Sequence, residues 1–406
     1  MPAPVTIADI QAARRRVAGA VYHSPCPESI PLSEVTGMRV FCKLENLQRT
    51  GSFKERGARN ALLLLDDGQK QRGVIAASAG NHALGLAYHG RLLDIPVTVV
   101  MPRFAPLVKL NTCQRLGANV VLHGATFLEA KDHARALCAE RGLTYIHGYD
   151  DPAIIAGQGT MGLEIMEQVP DVEAIVIPVG GAGLLAGVAL AVKTLRPEVQ
   201  IIGVEPEGAA KFAAAVHAGH PVQIHCHPTL ADGLAVPDIG ANAFPIARER
   251  IDQLVTVNED EIALAILRIV ELEKAIVEGS GASGLAACLA GKLPELAGKR
   301  VVLPFCGGNI DPAILSRVIE KGLVADGRVC RFSAEISDRP GGLAHLTKLI
   351  ADAGASVKEI VHERAFAGSD VFAVSVLCTI ETRDRAHLEE IFSRLEQEAI
   401  PHSRAR

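Results

Sequence analysis

The run Gly51-Ser52-Phe53-Lys54 puts a lysine where lysine can do unusual chemistry. Gly51 and Ser52 suit a turn. Lys54 then opens a helix-like stretch, Glu55-Arg56-Gly57-Ala58-Arg59-Asn60-Ala61, followed by four leucines. An amine held in a desolvated pocket gives up its proton more readily than a solvated one and becomes a nucleophile toward an aldehyde. Most lysines are solvated surface groups, so the tripeptide alone carries little weight. What else the chain offers an aldehyde ligand decides its meaning.

Three further segments share one layout, an apolar run that breaks into small residues. Residues 174–179 read as a buried strand that ends at Gly180-Gly181-Ala182-Gly183, and residues 184–195 then read as a helix. Bare backbone N–H groups beside a helix N-terminus can hold a phosphate, and glycine lets the backbone approach it closely. Residues 73–77 lead into Ser78-Ala79-Gly80-Asn81-His82, a loop that can wrap a carboxylate in N–H groups or, more simply, cap a helix. Leu303-Pro304-Phe305-Cys306-Gly307-Gly308-Asn309-Ile310-Asp311 is a third strand end opening onto glycines. Its Cys306 is neutral at pH 7 and could face a ring nitrogen without protonating it fully. A lysine for an aldehyde and a glycine turn for a phosphate together describe a site for pyridoxal phosphate.

In combination and in order, these segments resemble the threonine/serine dehydratase branch of the fold-type II pyridoxal-phosphate enzymes, from about residue 7 to about residue 323. The resemblance implies an α/β fold like that of the tryptophan synthase β chain, with a small lobe of about residues 45–150 inserted in a larger one. It implies Lys54 as the lysine that captures the cofactor and later removes the substrate's Cα proton, flanked by Phe53. It places Asn81 on the cofactor hydroxyl, Gly180, Gly181, Ala182, Gly183 and Leu184 on the phosphate, and Cys306 at the ring nitrogen. Ser78, Ala79, Gly80, Asn81 and His82 would hold the substrate carboxylate. The implied reaction is β-elimination of water from L-threonine to give 2-oxobutanoate and ammonia, with L-serine to pyruvate as a companion activity. Two positions depart from the family's pattern: Ala182 stands where relatives usually carry glycine, and Leu84 where many carry glutamine.

Other readings stay open at this stage. Serine racemases share nearly every motif, but carry a serine directly before Gly-Asn-His, where this chain has Ala79. They also bind a divalent ion through acidic groups that follow a Val-Glu-Pro segment. Here Glu205 is present, but Lys211 stands where a second carboxylate is expected, and no metal is expected. A hydroxyaspartate-type dehydratase would look alike, because specificity lies in pocket residues that no motif marks. A non-catalytic amino-acid sensor is opposed by the intact Lys54, Asn81 and glycine turn.

The elements that must position these groups follow an alternating pattern. Strand-like runs at 97–100, 120–122 and 201–204 alternate with helical stretches, as in a doubly wound α/β protein. After about residue 323 the pattern changes. Cys330, Phe332, Ala334 and Ile336 alternate with polar residues, Leu343, Leu346, Leu349 and Ile350 share a helix face, and a strand is expected over 357–362. Phe372, Val374, Val376, Cys378 and Ile380 alternate again before a second amphipathic helix. The order resembles an ACT domain over residues 328–406, a ferredoxin-like module that senses amino acids. Asp338-Arg339-Pro340-Gly341-Gly342-Leu343 matches its ligand loop, so Asp338, Gly341, Gly342 and Leu343 are expected to meet a regulatory amino acid. A module that only holds subunits together is the plainer reading.

Composition bounds the rest. The 406 residues are 49% apolar and 21% charged, an ordinary globular balance, and a net charge of −5 gives no reason to expect nucleic acid. Nine cysteines without a Cys-x-x-Cys pair suit a reducing compartment. The first residues lack an apolar signal core, so a cytoplasmic enzyme is expected. The resemblance to the dehydratases implies a homodimer or homotetramer acting on a small β-hydroxy amino acid. Residues 174–192 carry no charge, yet a proline and glycines near their middle argue against a membrane span. Gly157-x-Gly159-x-x-Gly162 matches a dinucleotide fingerprint but has no strand before it, and reads as helix. His220, His225, Cys226 and His227 fit no standard zinc spacing.

Overall fold

A computed structural model describes residues 5–105, 107–363 and 372–404. The chain divides into two compact units, Met1–Pro312 and Ala313–Arg406. The first contains two sheets. Its strands, in chain order, are β1 (Glu28–Ser29), β2 (Arg39–Lys43), β3 (Val74–Ala77), β4 (Val97–Met101), β5 (Asn119–Leu122), β6 (Thr144–Tyr145), β7 (Ala174–Pro178), β8 (Gln200–Pro206), β9 (Gln253–Val257) and β10 (Arg300–Pro304). The larger sheet has the order β1-β2-β10-β7-β8-β9, all parallel except the short edge strand β1. The smaller sheet is parallel throughout, in the order β5-β4-β3-β6.

Parallel strands covered by helices on both faces must be apolar on both. Accordingly β3, β4 and β7 are buried at every residue. The uncharged stretch 174–192 is thus a buried strand, a turn and the helix Gly183–Leu195. Among the described residues no helix is long and apolar enough to cross a membrane.

The helix Lys54–Leu63 carries the lysine and packs against the helix Pro152–Gln168. Two glycines set how closely they meet. A Cβ on Gly157 would lie 2.6 Å from Gly57 Cα, and one on Gly57 would lie 2.6 Å from the Gln158 amide. Gly159 and Gly162 do the same toward Gly187 and Val188 on the helix Gly183–Leu195. The dinucleotide-like spacing is therefore a helix-packing pattern, with one small residue per turn facing a neighbouring backbone.

Beneath Lys54 lies a buried cluster of charges. Arg56 donates to both oxygens of Glu45 at 2.8 and 2.7 Å and to both oxygens of Glu164 at 2.7 Å. Lys43, on β2, donates to Glu164 at 2.6 Å and to the Ser24 carbonyl at 2.6 Å. Burial alone would lower the guanidinium's pKa, but Glu45 and Glu164 outweigh it and hold Arg56 firmly charged. The cluster ties β2, the lysine helix and the helix Pro152–Gln168 to one another.

The second unit has the strands β11 (Val329–Ser337), β12 (Ser356–Glu363), β13 (Ala373–Glu381) and β14 (His402–Arg404). With the helices Gly342–Asp352 and Arg385–Gln397 they run β-α-β-β-α-β, in the antiparallel sheet order β12-β13-β11-β14. That is ferredoxin-like connectivity. The sequence signal stopped at the second helix; the closing strand β14 is three residues long and too short to show a period. Ile336, Val374, Leu346 and Leu388 help fill a core between the sheet and its helices. Residues 338–341 turn from β11 into the helix Gly342–Asp352. Gly341 has φ 103°, and a Cβ on Gly342 would stand 2.0 Å from the Ser337 oxygen, so both glycines are required by the backbone.

Replacing Arg56 by methionine leaves two carboxylates buried with too little positive charge. Arg56→Met is expected to lower unfolding free energy by about 3–5 kcal/mol. Removing the exposed Arg14, paired with Glu167 at the surface, is expected to cost about 0–1 kcal/mol. Urea titrations of both variants check this; equal, small losses would show that the buried cluster contributes no more than a surface pair.

Candidate active site

One cavity of about 580 Å³ lies between the two sheets of the first unit. Lys54, Phe53, Ser78, Ala79, Gly80, Asn81, His82, Gly180, Gly181, Ala182, Gly183, Leu184 and Cys306 all line it. Residues far apart in sequence meet there because most of the contributing loops follow the carboxyl ends of parallel strands. β3 delivers the Ser78–His82 loop, β7 the glycine turn and β10 Cys306.

Lys54 is held from several sides. Its Nζ donates to the Gly148 carbonyl at 2.8 Å and sits 5.1 Å from the centroid of the Phe53 ring. Phe53 N–H donates to the Cys306 carbonyl at 3.0 Å, and Gly308 N–H to the Gly51 carbonyl at 2.9 Å. The lysine turn is thereby stitched to the end of β10. Burial lowers the Lys54 pKa from 10.5 to about 8, opposed by Cys306 and Glu278. Roughly a tenth of the amine is thus unprotonated at pH 7, against well under a thousandth of a solvated lysine, which helps an amine that must capture an aldehyde.

The helix Asn81–Leu92 starts at Gly80 with no side chain capping it. The simpler reading of this loop, a helix cap supplied by Ser78 or Asn81, therefore does not hold. Ser78 Oγ instead accepts from Gly80 N–H at 3.2 Å, and the Asn81 amide donates to Glu278 Oε1 at 2.6 Å. Asn309 donates to Asn81 Oδ1 at 2.8 Å, which orients the amide. His82 Nε2 donates to the Ile146 carbonyl, 3.2 Å away, and burial with the nearby Lys54 lowers its pKa to about 3, so it stays neutral.

The glycine turn is shaped by Tyr149. A Cβ on Gly181 would fall 2.1 Å from the Tyr149 ring, and one on Gly183 2.2 Å from its carbonyl. Ala182 adopts the left-handed conformation at φ 70°, ψ 1°, which costs a residue with a Cβ about 1–2 kcal/mol. Burial drives the Cys306 thiol far above its ordinary pKa, so the group is a neutral thiol at every relevant pH.

Several lining residues carry no motif and escaped the sequence reading. Glu278 is the foremost: burial and Asp232 push its carboxyl up to about 7, against Lys109, Asn81 and Lys54. It stands directly before Gly279-Ser280-Gly281, so an acid opening another glycine-rich helix start was the signal available. Ser280 Oγ is buried without a hydrogen-bond partner on the same cavity, an orphaned polar atom that awaits a ligand. Tyr149 hydrogen-bonds Asp238, and Lys109 pairs with Asp232 at 3.2 Å. No sequence spacing connects these pairs.

The donor set fits pyridoxal phosphate. A lysine of lowered pKa suits its aldehyde, a glycine turn at a helix start suits its phosphate, and a neutral thiol suits its ring nitrogen. Such a site defines an enzyme that acts on amino groups through a lysine-held aldehyde. A family model described as pyridoxal-phosphate dependent enzyme matches residues 17–307, and the chain belongs to that family. An L-threonine ammonia-lyase of Thermotoga maritima is 44% identical over 387 residues, covering 95% of this chain and 96% of that protein. Among solved structures, the processed form of threonine deaminase isoform 2 from Solanum lycopersicum is similar at 39% identity and a TM-score of 0.74, over 79% of this chain and 95% of that one. Serine racemase from Dictyostelium discoideum is 38% identical with a TM-score of 0.72, over 76% and 100% respectively.

The lowered Lys54 pKa makes capture of an aldehyde pH-dependent in the cofactor-free protein. Only the neutral amine reacts, and its share grows as pH rises through the folded pKa. The rate of pyridoxal phosphate uptake is expected to climb with a midpoint near pH 8, followed by the growth of visible absorbance after mixing. A rate still rising steeply above pH 9 would mean a lysine as basic as a solvated one.

Proposed function

We propose that this protein catalyses the pyridoxal-phosphate-dependent deamination of L-threonine to 2-oxobutanoate and ammonia, and of L-serine to pyruvate. The observation that carries the reading is the buried Lys54 amine on the same cavity as the glycine turn and Cys306. The 44% identity to an L-threonine ammonia-lyase over nearly the whole chain supports the choice of substrate.

When bound, the cofactor supplies an electron sink that acidifies the Cα–H of an amino acid. The chain's own groups do the rest. Backbone N–H groups of Gly180–Leu184 anchor the phosphate, and the Ser78–His82 loop takes the substrate carboxylate. Lys54, as a neutral amine on the cavity wall, would be placed to remove the Cα proton. Asn81, held by Glu278 and Asn309, presents its amide to the ring hydroxyl. A neutral Cys306 thiol beside the ring nitrogen would not fully protonate it, which would limit the electron sink and favour elimination over side reactions.

Racemisation requires a second proton carrier across the cofactor from Lys54. Ala79 in the substrate loop has no titratable group, and this favours elimination over racemisation despite the serine racemase neighbour. The catalytic part takes in residues 1–323, running past the end of the first compact unit at Pro312, and the ferredoxin-like part residues 328–406. The latter is an ACT-type regulatory domain whose Asp338–Leu343 turn takes a small apolar amino acid. The protein works as a homodimer or homotetramer in the cytoplasm.

A product assay for 2-oxo acids across L-threonine, L-serine and hydroxyaspartate tests the main reading, with 2-oxobutanoate expected first. Lys54→Ala is expected to lose activity by many orders of magnitude with an unchanged melting curve, because tether and base are one residue. A variant retaining more than about 5% of the rate would remove Lys54 from both roles.

Isoleucine and valine are the effectors to titrate against threonine kinetics. A shift of roughly 5- to 150-fold in affinity is the ordinary range for such coupling. Binding by calorimetry with no kinetic change would reduce the domain to a structural one, as would no binding by any amino acid.

A further inference from the structure

Lys211 opens the helix Lys211–Ala218, yet its side chain turns inward and is fully buried. Its Nζ donates to the carbonyls of Ala209 at 3.0 Å and Val179 at 3.3 Å, and to Glu205 Oε1 at 3.4 Å. Glu205, on β8, is also fully buried, and its two oxygens accept the N–H groups of Phe212 at 2.8 Å and Ala213 at 2.9 Å. The helix has no side-chain cap from its own flank, so a carboxylate from a strand caps it. Burial pulls Lys211 down and pushes Glu205 up, and their mutual attraction opposes both shifts. Two backbone N–H groups favour the carboxylate and three oxygens favour the ammonium, so the pair is ionised.

Two carbonyls and a carboxylate around one buried positive charge form the donor set of a hard cation. Here the charge is covalently part of the chain. A compact ammonium with three donors matches three acceptors, which a planar guanidinium would not. The cage has a direct line to the active site. Val179 immediately precedes Gly180, its N–H is fixed by the Val204 carbonyl at 2.8 Å, and its carbonyl is fixed by Lys211. The turn that follows contains the left-handed Ala182, so its root must be held firmly for the strained conformation to persist.

We propose that Lys211 is a built-in substitute for a bound cation, a positioning residue whose ammonium holds the root of the Gly180–Leu184 turn and frees the protein from any need for added monovalent or divalent ions. The inference rests on the assignment of that turn to the cofactor phosphate. Neither Lys211 nor Glu205 touches substrate or cofactor; they act through the Val179 carbonyl.

The experiment uses the holoenzyme in tetramethylammonium buffer with a chelator. Wild type is expected to keep its visible cofactor absorbance there, and to change kcat/KM by less than about twofold when potassium, sodium or magnesium is added. Lys211→Met, uncharged and similar in length, is expected to bind pyridoxal phosphate about tenfold more weakly, the size of one lost charge-assisted contact. Lys211→Ala opens space in the cage. It is expected to show the same loss in tetramethylammonium and to regain most of the affinity with potassium or ammonium. The melting temperature of its cofactor-free form is expected to rise with the same ions, whereas that of Lys211→Met is not. A wild type activated several-fold by a cation overturns the inference, as does a Lys211→Met variant that binds cofactor as tightly as wild type. So does a Lys211→Ala variant that no ion rescues. Should neither variant fold, the wild-type ion series decides. A wild type that takes up no cofactor sinks the phosphate assignment instead, and ion-dependent melting of cofactor-free Lys211→Ala still decides whether the cage accepts a cation.

Discussion

A lysine amine that must react with an aldehyde has to be kept out of water, and the chain resists burying it without help. The help lies two residues on. Arg56 points to the opposite side of the same helix and grips Glu45 and Glu164, with Lys43 completing the cluster. Charges removed from water are costly unless every lone pair and proton is met, so this cluster tolerates essentially one arrangement. That arrangement fixes the lysine helix against the helix Pro152–Gln168 at a spacing that only Gly57 and Gly157 permit. Lys54 Nζ then lands within reach of Gly148 and beside Cys306.

One wall of the cavity is assembled by backbone bonds between loops. Phe53 to Cys306, Gly308 to Gly51 and Glu278 to Gly307 form a continuous seam along one wall. The opposite wall depends on the turn after β7, where an alanine occupies a left-handed conformation and Tyr149 leaves no room for a Cβ on Gly181 or Gly183. One wall is rigid through its bonds and the other through its crowding. The proposed ligand, with an aldehyde, a ring nitrogen and a phosphate, would find its partners already placed, so little of its binding energy would be lost to ordering the protein.

The second unit obeys a different rule. Its strands alternate buried residues with half-buried or exposed ones over most of β11 and the first half of β13, as a sheet covered on one face does. The switch from continuously apolar strands to alternating ones marks where one architecture stops and another begins. The turn from β11 into the helix Gly342–Asp352 repeats in miniature the device of the first unit, a strand end, glycines and a helix start. The amino acid proposed for this turn would rely on the same backbone N–H chemistry as the phosphate proposed for the first.

The sequence alone determined what is local. Buried parallel strands such as 174–178 announced themselves by unbroken apolar runs, the alternating strands of the second unit by their period, and Lys54, Asn81 and the glycine turn by small residues at strand ends. Residue type carries that information because it depends only on neighbours along the chain. What tertiary structure decided depends on groups distant in sequence. Glu278 became a near-neutral acid because Asp232 and the cavity wall surround it, and its partner Asn81 lies in a different lobe. Gly157, Gly159 and Gly162 spelled a nucleotide motif but serve helix contacts, since only the approach of a second backbone gives a missing Cβ its purpose. Lys211 looked like a lost metal ligand. Folding brought the Val179 and Ala209 carbonyls and Glu205 around its ammonium, and burial is what turned a surface type of residue into the charge at the centre of a cage.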